Sequence, residues 1–251
     1  MSTELDRIEL RPARRRFLKS AGALATLLVA PGVLLYQTGE AASTGAKQPR
    51  WGLLIDTNLL DESDVDSCVQ ACQREHGWEV EAGSRTDAQW IRKVRLTHES
   101  SGQQKVLPLM CQHCAEPPCV DVCPTGASFK RADGIVLVNK HTCIGCRYCM
   151  MACPYQARSF IHEALQDQLP VAPRGKGTVE SCTLCVHRVD RDGAAAVPAC
   201  AEAVNRADRE AILFGDLNDP ASPISRKLEQ YGATRLRADL ALDTGVSYRG
   251  L

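Results

Sequence analysis

An α+β fold assembled around clustered cysteines is expected from three observations: 13 cysteines in 251 residues, their gathering into two tandem runs of similar spacing, and a hairpin-like stretch between those runs. The length suits one large domain or two small ones sharing a core. Thirty Lys+Arg balance thirty Asp+Glu and only 5% of residues are aromatic, so there is no basic excess to hold phosphates and few rings to stack bases; nucleic acid is excluded as a partner. An odd number of cysteines cannot close entirely into intramolecular disulfides. Cysteine spacing therefore has to decide the chemistry.

The chain begins with an address. A twin arginine within Ala13-Arg14-Arg15-Arg16 precedes Phe17-Leu18-Lys19, and an apolar run over 21–35 leads to the small residues of Gly39-Glu40-Ala41-Ala42-Ser43. This is the pattern of a Tat signal covering residues 1–42, so export of an already folded protein to the periplasm is expected. The run is 15 residues long and is broken by Thr26, Pro31 and Gly32. A membrane helix takes roughly 20 apolar residues, which favours a signal over a permanent span; an uncleaved anchor is the other reading. Folded export suits a cofactor assembled in the cytoplasm.

The first cysteine run reads Cys111-Gln-His-Cys114-Ala-Glu-Pro-Pro-Cys119-Val-Asp-Val-Cys123-Pro124, and the second Cys143-Ile-Gly-Cys146-Arg-Tyr-Cys149-Met-Met-Ala-Cys153-Pro154. The second has the C-x2-C-x2-C-x3-C-P spacing of bacterial ferredoxins, and the first differs by two residues added in the middle gap. Three closely spaced thiolates wrap one corner of a cuboidal cluster. The fourth, carried by a short helix and followed by proline, points away and ligates the neighbouring cluster. One 4Fe-4S cluster is therefore assigned to Cys111, Cys114, Cys119 and Cys153, and a second to Cys143, Cys146, Cys149 and Cys123. Cys123-Pro-Thr-Gly-Ala-Ser-Phe129 is echoed by Cys153-Pro-Tyr-Gln-Ala-Arg-Ser-Phe160, an internal repeat. Between the runs, 127–130 and 135–139 are expected as strands turning at Ala132-Asp133-Gly134. Zinc explains less, since it takes four ligands per ion and has no use for a repeated x3-Cys-Pro ending. A disulfide scaffold is sterically awkward at this density.

Five cysteines remain: Cys68, Cys72, Cys182, Cys185 and Cys200. With the two runs, the segments Trp51-Gly-Leu-Leu-Ile-Asp56, Cys182-Thr-Leu-Cys185-Val-His-Arg188, Pro198-Ala-Cys200 and Phe214-Gly-Asp-Leu-Asn-Asp-Pro220 make residues 50–251 resemble the polyferredoxin electron-transfer subunits of membrane-bound oxidoreductases, among them those of dimethyl sulfoxide, polysulfide and nitrite reductases. That resemblance implies two interleaved bacterial-ferredoxin-like 2x4Fe-4S modules with loop insertions. The first half would comprise 50–105 and 170–220, the inserted second half 106–169, and a C-terminal extension 221–251. In the family the first cysteine run pairs with the fourth. Here the first run keeps Cys68 and Cys72 but has Glu62 and Val65 at its other ligand positions, and the fourth has Val204 four residues beyond Cys200. One module is thus degenerate: all three losses fall on one cluster, and the resemblance leaves Cys182, Cys185, Cys200 and Cys72 as a complete third set. Three 4Fe-4S clusters use all cysteines except Cys68, expected as a small buried apolar residue.

His113, His141 and His187 stand within two residues of ligand cysteines and are expected as hydrogen-bond donors to sulfur rather than ligands. Lys130, Arg131, Arg147 and Arg158 are expected mostly as solvated charges. Ser222-Pro223 followed by a run to Tyr231 and then Gly232 carries the start and stop signals of a helix, a docking or packing element. No segment after Ala42 reaches spanning length.

The expectation is an electron wire without a catalytic site of its own. Within the family, Gly126-Ala-Ser-Phe-Lys-Arg-Ala-Asp-Gly-Ile135 and the lost cluster look most like the DsrO type of the sulfite-reductase-associated DsrMKJOP complex, which implies a multi-span quinone-reactive membrane subunit, a multihaem cytochrome c and dissimilatory sulfur metabolism. A subunit of a molybdopterin reductase or periplasmic hydrogenase is the alternative in the same class. A non-redox structural metal-binding adaptor is the alternative in another.

Overall fold

A computed structural model describes residues 48–79, 86–166 and 168–251. The signal expected over 1–42 lies outside the described residues. Among those described, no helix is long and apolar enough to cross a membrane.

Strand β1 (Trp51–Asp56) is buried along its whole length, as an uninterrupted apolar run in the middle of a sheet must be. It pairs antiparallel with β8 (Ile212–Asp216) and parallel with β9 (Val246–Arg249), giving the order β8-β1-β9. Gly52 permits this closeness, since a Cβ there would stand 2.4 Å from the Gly245 carbonyl oxygen. Helix α1 (Glu62–His76) follows β1. Asp61 accepts from the Asp64 N–H while the Asp64 carboxylate accepts from the Asp61 N–H, and Gly77 ends the helix in the left-handed region at φ 64°. The hairpin β2 (Ile91–Thr97) and β3 (Gln104–Met110) runs beside α1 and delivers the chain to Cys111.

The repeat around the two tandem cysteine runs is a repeat in space. Helix α2 (Pro118–Asp121) leads to Cys123 and helix α3 (Tyr148–Ala152) to Cys153, and the two pack on each other. Between them β4 (Ser128–Lys130) and β5 (Val136–Val138) form the expected antiparallel hairpin. After α3, β6 (Ser159–Phe160) pairs with β7 (Val179–Glu180), which hands the chain to Cys182. Helix α4 (Val186–Asp192) and helix α5 (Ala199–Val204) complete this arm, and α5 packs broadly against α1. Helix α6 (Pro223–Tyr231) has the expected caps: the Ser222 side chain accepts from the Ser225 N–H, and Gly232 is left-handed. Its Ile224 is fully buried under β8, so the helix is a packing element. Beyond it the chain returns to supply β9, the edge strand that pairs parallel with β1.

Candidate metal centres

Local backbone shape prepares the opening Cys-x2-Cys loop of each group. In Cys111–Cys114, Cys143–Cys146 and Cys182–Cys185 the residue before the second cysteine is left-handed: His113 at φ 44°, Gly145 at 69° and Leu184 at 56°. For histidine and leucine this conformation is strained, and recurrence at the same step of three loops ties the strain to what the thiols do. The two Cys-Pro turns share a second device, with Gly126 at φ 67° and Gln156 at 49°, each three residues past its cysteine. The turns aim N–H groups back at sulfur: Ser128 donates to Cys123 at 3.3 Å and Ala157 to Cys153 at 3.4 Å. Val179 donates to Cys143 at 3.5 Å, Leu184 to Cys182 and Ala199 to Cys185, both at 3.4 Å. Such donors stabilise thiolates, the form that binds metal.

The structure brings the predicted residues into three groups. Cys119 and Cys153 lie within electrostatic reach of each other and of Cys114, and Cys111 lies beside Cys119. Cys123, Cys143, Cys146 and Cys149 line one shallow concavity, open to solvent on the Cys146 side. The third group gathers from three separated segments: Cys72 from α1, Cys182 and Cys185 from the loop before α4, and Cys200 from α5, with Cys72 and Cys200 each facing the other three. Cys68 is also near, fully buried, with its thiol donating to the Cys200 carbonyl at 3.5 Å.

Burial fixes the protonation of these thiols in the metal-free chain. It pushes Cys182 and Cys114 up to about 12 and Cys185 to about 11, and raises Cys72, Cys111 and Cys200 well above the usual thiol value. At Cys123 burial pushes the same way but is outweighed by the N–H groups of Ser128, Thr125 and Ala127 and the Thr125 hydroxyl, leaving that thiol below its ordinary value.

Whether the residues suit iron-sulfur clusters is tested by the donors left over. His113 is buried; its Nδ1 accepts the Val136 N–H at 3.1 Å, so the proton sits on Nε2, which has no partner. Arg158 Nη1 is likewise buried without a partner beside the thiols. Orphaned buried donors cost about 1–3 kcal/mol each, and acceptor sulfides among the soft thiolates would satisfy them. Among the described residues no group of three Cys, His, Asp or Glu side chains is placed to hold a single metal ion. The residues present fit clusters.

Several neighbours differ from expectation. His187 pairs through Nε2 with Glu75 at 2.7 Å and His141 is exposed, so neither donates to sulfur. Arg158, placed among solvated charges by its sequence, is 5% exposed, with Nη2 3.1 Å from Cys119 Sγ. The other basic residues are spoken for elsewhere: Lys130 by the Ala115 carbonyl, Arg131 by Asp133 and Asp190, and Arg147 by the Phe160 ring. Sequence reasoning missed His76 and Trp78. The Trp78 Nε1–H donates to Cys72 Sγ at 3.4 Å; His76 Nδ1 donates to the Cys72 carbonyl at 3.0 Å and stands 3.6 Å from its sulfur. A tryptophan six residues past a helical cysteine carries no spacing signal that would have found it.

The three positions expected to have lost ligands are occupied by residues with structural contacts. Val65 and Val204 are fully buried where α1 meets α5, Glu62 pairs with Arg95 at 2.7 Å, and Asp64 holds Arg209 at 2.7 Å.

Residues 103–215 match the 4Fe-4S dicluster domain family. The chain is 38% identical to the Hdr-like menaquinol oxidoreductase iron-sulfur subunit 1 of Archaeoglobus fulgidus, over 95% of its own length and 98% of that protein. It is 33% identical to a tetrathionate reductase subunit of Salmonella typhimurium over 89% of its length and 82% of that protein, and 37% identical to protein NrfC of Escherichia coli over 92% of each.

Proposed function

Because the chain belongs to the family of ferredoxin-type iron-sulfur electron-transfer subunits, we propose that it is a periplasmic one-electron relay carrying three 4Fe-4S clusters. The ligand sets are Cys111, Cys114, Cys119 and Cys153; Cys143, Cys146, Cys149 and Cys123; and Cys182, Cys185, Cys200 and Cys72. The observation that carries the reading is the meeting of Cys72 with Cys182, Cys185 and Cys200 from distant parts of the chain. Bound clusters supply reversible one-electron chemistry.

The chain's own residues order the path. Cys111 of the first set lies within electrostatic reach of Cys182 of the third, while Arg158 spans Cys119 of the first and Cys149 of the second. The third set thus forms one end, enclosed among buried side chains, the first set the middle, and the second the end that meets solvent at Cys146. On this reading the cluster lost with the ligands at Val65 and Val204 is a terminal one.

The partners proposed are a multi-span quinone-reactive membrane subunit and a multihaem cytochrome c, in dissimilatory sulfur metabolism of the DsrO type. Support comes from the menaquinol oxidoreductase subunit similar over nearly the full length, and from the twin arginine at Arg14-Arg15 for export and peripheral attachment. The similarity to the tetrathionate reductase protein favours a second reading, a subunit of a molybdopterin reductase. Isolation of the native complex decides: a molybdenum subunit supports the second reading, and a quinone-reactive subunit with a cytochrome supports the first. Anaerobically reconstituted protein should hold about twelve iron and twelve sulfide per chain. About sixteen would refute the ligand assignment, and a colourless protein with no paramagnetic signal after dithionite would favour a structural adaptor.

A further inference from the structure

The two Cys-Pro turns differ by two replacements, Thr125 against Tyr155 and Gly126 against Gln156, and differ in length by a single inserted residue. Cys123-Pro-Thr-Gly-Ala-Ser-Phe129 aligns with Cys153-Pro-Tyr-Gln-Ala-Arg-Ser-Phe160, and the extra residue is Arg158. The insertion places a guanidinium in the interior, where the side chain is almost sealed from water. A buried cation without a counter-charge is expensive, and no carboxylate pairs with Arg158 among the described residues. Nη2 lies 3.1 Å from Cys119 Sγ, Nη1 has no hydrogen-bond partner, and the same charge acts on Cys111 and Cys149. Its facing groups are thiols from two different ligand sets.

We propose that Arg158 is the shared counter-cation of the first and second clusters, a positioning and tuning residue that raises both reduction potentials together. This inference rests on the ligand sets proposed above. Each electron added to either site increases negative charge near the guanidinium. In a water-poor interior that charge is weakly screened, so the reduced form of both sites is favoured. The thiols that act most strongly on Arg158 are Cys119, Cys111 and Cys149, none of them from the third set, which is the internal control.

The test is a potentiometric titration of anaerobically reconstituted full chain, followed by electron paramagnetic resonance, for wild type, Arg158→Gln, Arg158→Met and Arg158→Lys, with iron counted in each. In the neutral variants two of three clusters should titrate lower, each with at least a tenfold fall in the reduced-to-oxidised ratio at fixed potential, equivalent to 59 mV for one electron. The third should stay in place and the lysine variant should remain near wild type. Loss of iron from both sites in the two neutral variants, with retention in the lysine variant, supports the proposal equally. It is overturned if the neutral variants keep their iron with unmoved potentials, if only one cluster moves, or if all three variants lose iron, since shape rather than charge would then be what matters. A wild-type protein with fewer than three titrating clusters refutes the ligand sets instead.

Discussion

Cys68 and Cys72 stand one turn apart on α1, 0% and 4% exposed, and only Cys72 is proposed to hold iron. Alanine at either position leaves the helix intact and removes one buried sulfur, at a cost of about 1 kcal/mol on the scale of small core truncations. At Cys68 little else changes, because the thiol's one hydrogen bond is a 3.5 Å contact to the Cys200 carbonyl. At Cys72 the Trp78 Nε1–H loses its acceptor inside the core, which adds about 1–3 kcal/mol. Melting temperatures should then separate by a few degrees, at roughly 2–4 °C per kcal/mol for a chain of this size. The decisive readout is metal. Cys72→Ala should lose about one to four iron atoms, by conversion or loss of one cluster, while Cys68→Ala keeps the wild-type content. Equal iron loss from the two variants, or loss from Cys68→Ala alone, would refute the assignment of the third set.

Other substitutions probe the remaining sites. Gly145→Ala places a Cβ 2.1 Å from the Gly177 carbonyl oxygen at φ 69° and should cost about 2–4 kcal/mol with loss of iron from the second set; Gly126→Ala, at φ 67° with nothing within 4 Å, should cost only about 1–2 kcal/mol in chemical denaturation. Trp78→Phe removes the indole donor to Cys72 while keeping an aromatic ring in the core, so the third cluster alone should titrate at lower potential. In metal-free protein, burial raises Cys182 to about 12 and Cys185 to about 11, above the unfolded thiol value. The folded chain therefore binds protons more tightly than the unfolded chain, and this contribution is fully present below pH 9 and lost as pH rises through about 11 to 12. Thermal melts of the metal-free chain should fall between pH 8 and pH 11; a melt that rises over that interval would refute the burial argument. Because metal uptake must expel those protons, reconstitution should also proceed further at pH 8.5 than at pH 6.5.

The metal-binding runs were legible because ligand spacing is a local property: Cys143, Cys146 and Cys149 must sit near one another whatever the rest of the chain does, and a pocket lined by all three with Cys123 is the outcome. The β4-β5 hairpin and the caps of α6 were legible for the same reason, being written within a few residues at Asp133-Gly134 and at Ser222 and Gly232. What escaped depends on long-range pairing. The parallel match of Leu53 with Val246 joins residues nearly two hundred positions apart, and nothing in Val246–Arg249 announces a strand that completes the sheet begun by β1. The interior position of Arg158 escaped too, because an arginine beside a cysteine run reads as a surface charge until a facing set of thiols gives it somewhere to go.

The graded enclosure of the three thiol groups has a consequence for life in air. Cys146 and its neighbours Ile144 and Met151 stand in solvent, whereas Cys72 and Cys182 lie behind Trp78 and Tyr248. Dissolved oxygen meets the outermost group first, so oxidative decay should advance inward from that rim. The innermost group, backed by packed valines, would be the last to bleach.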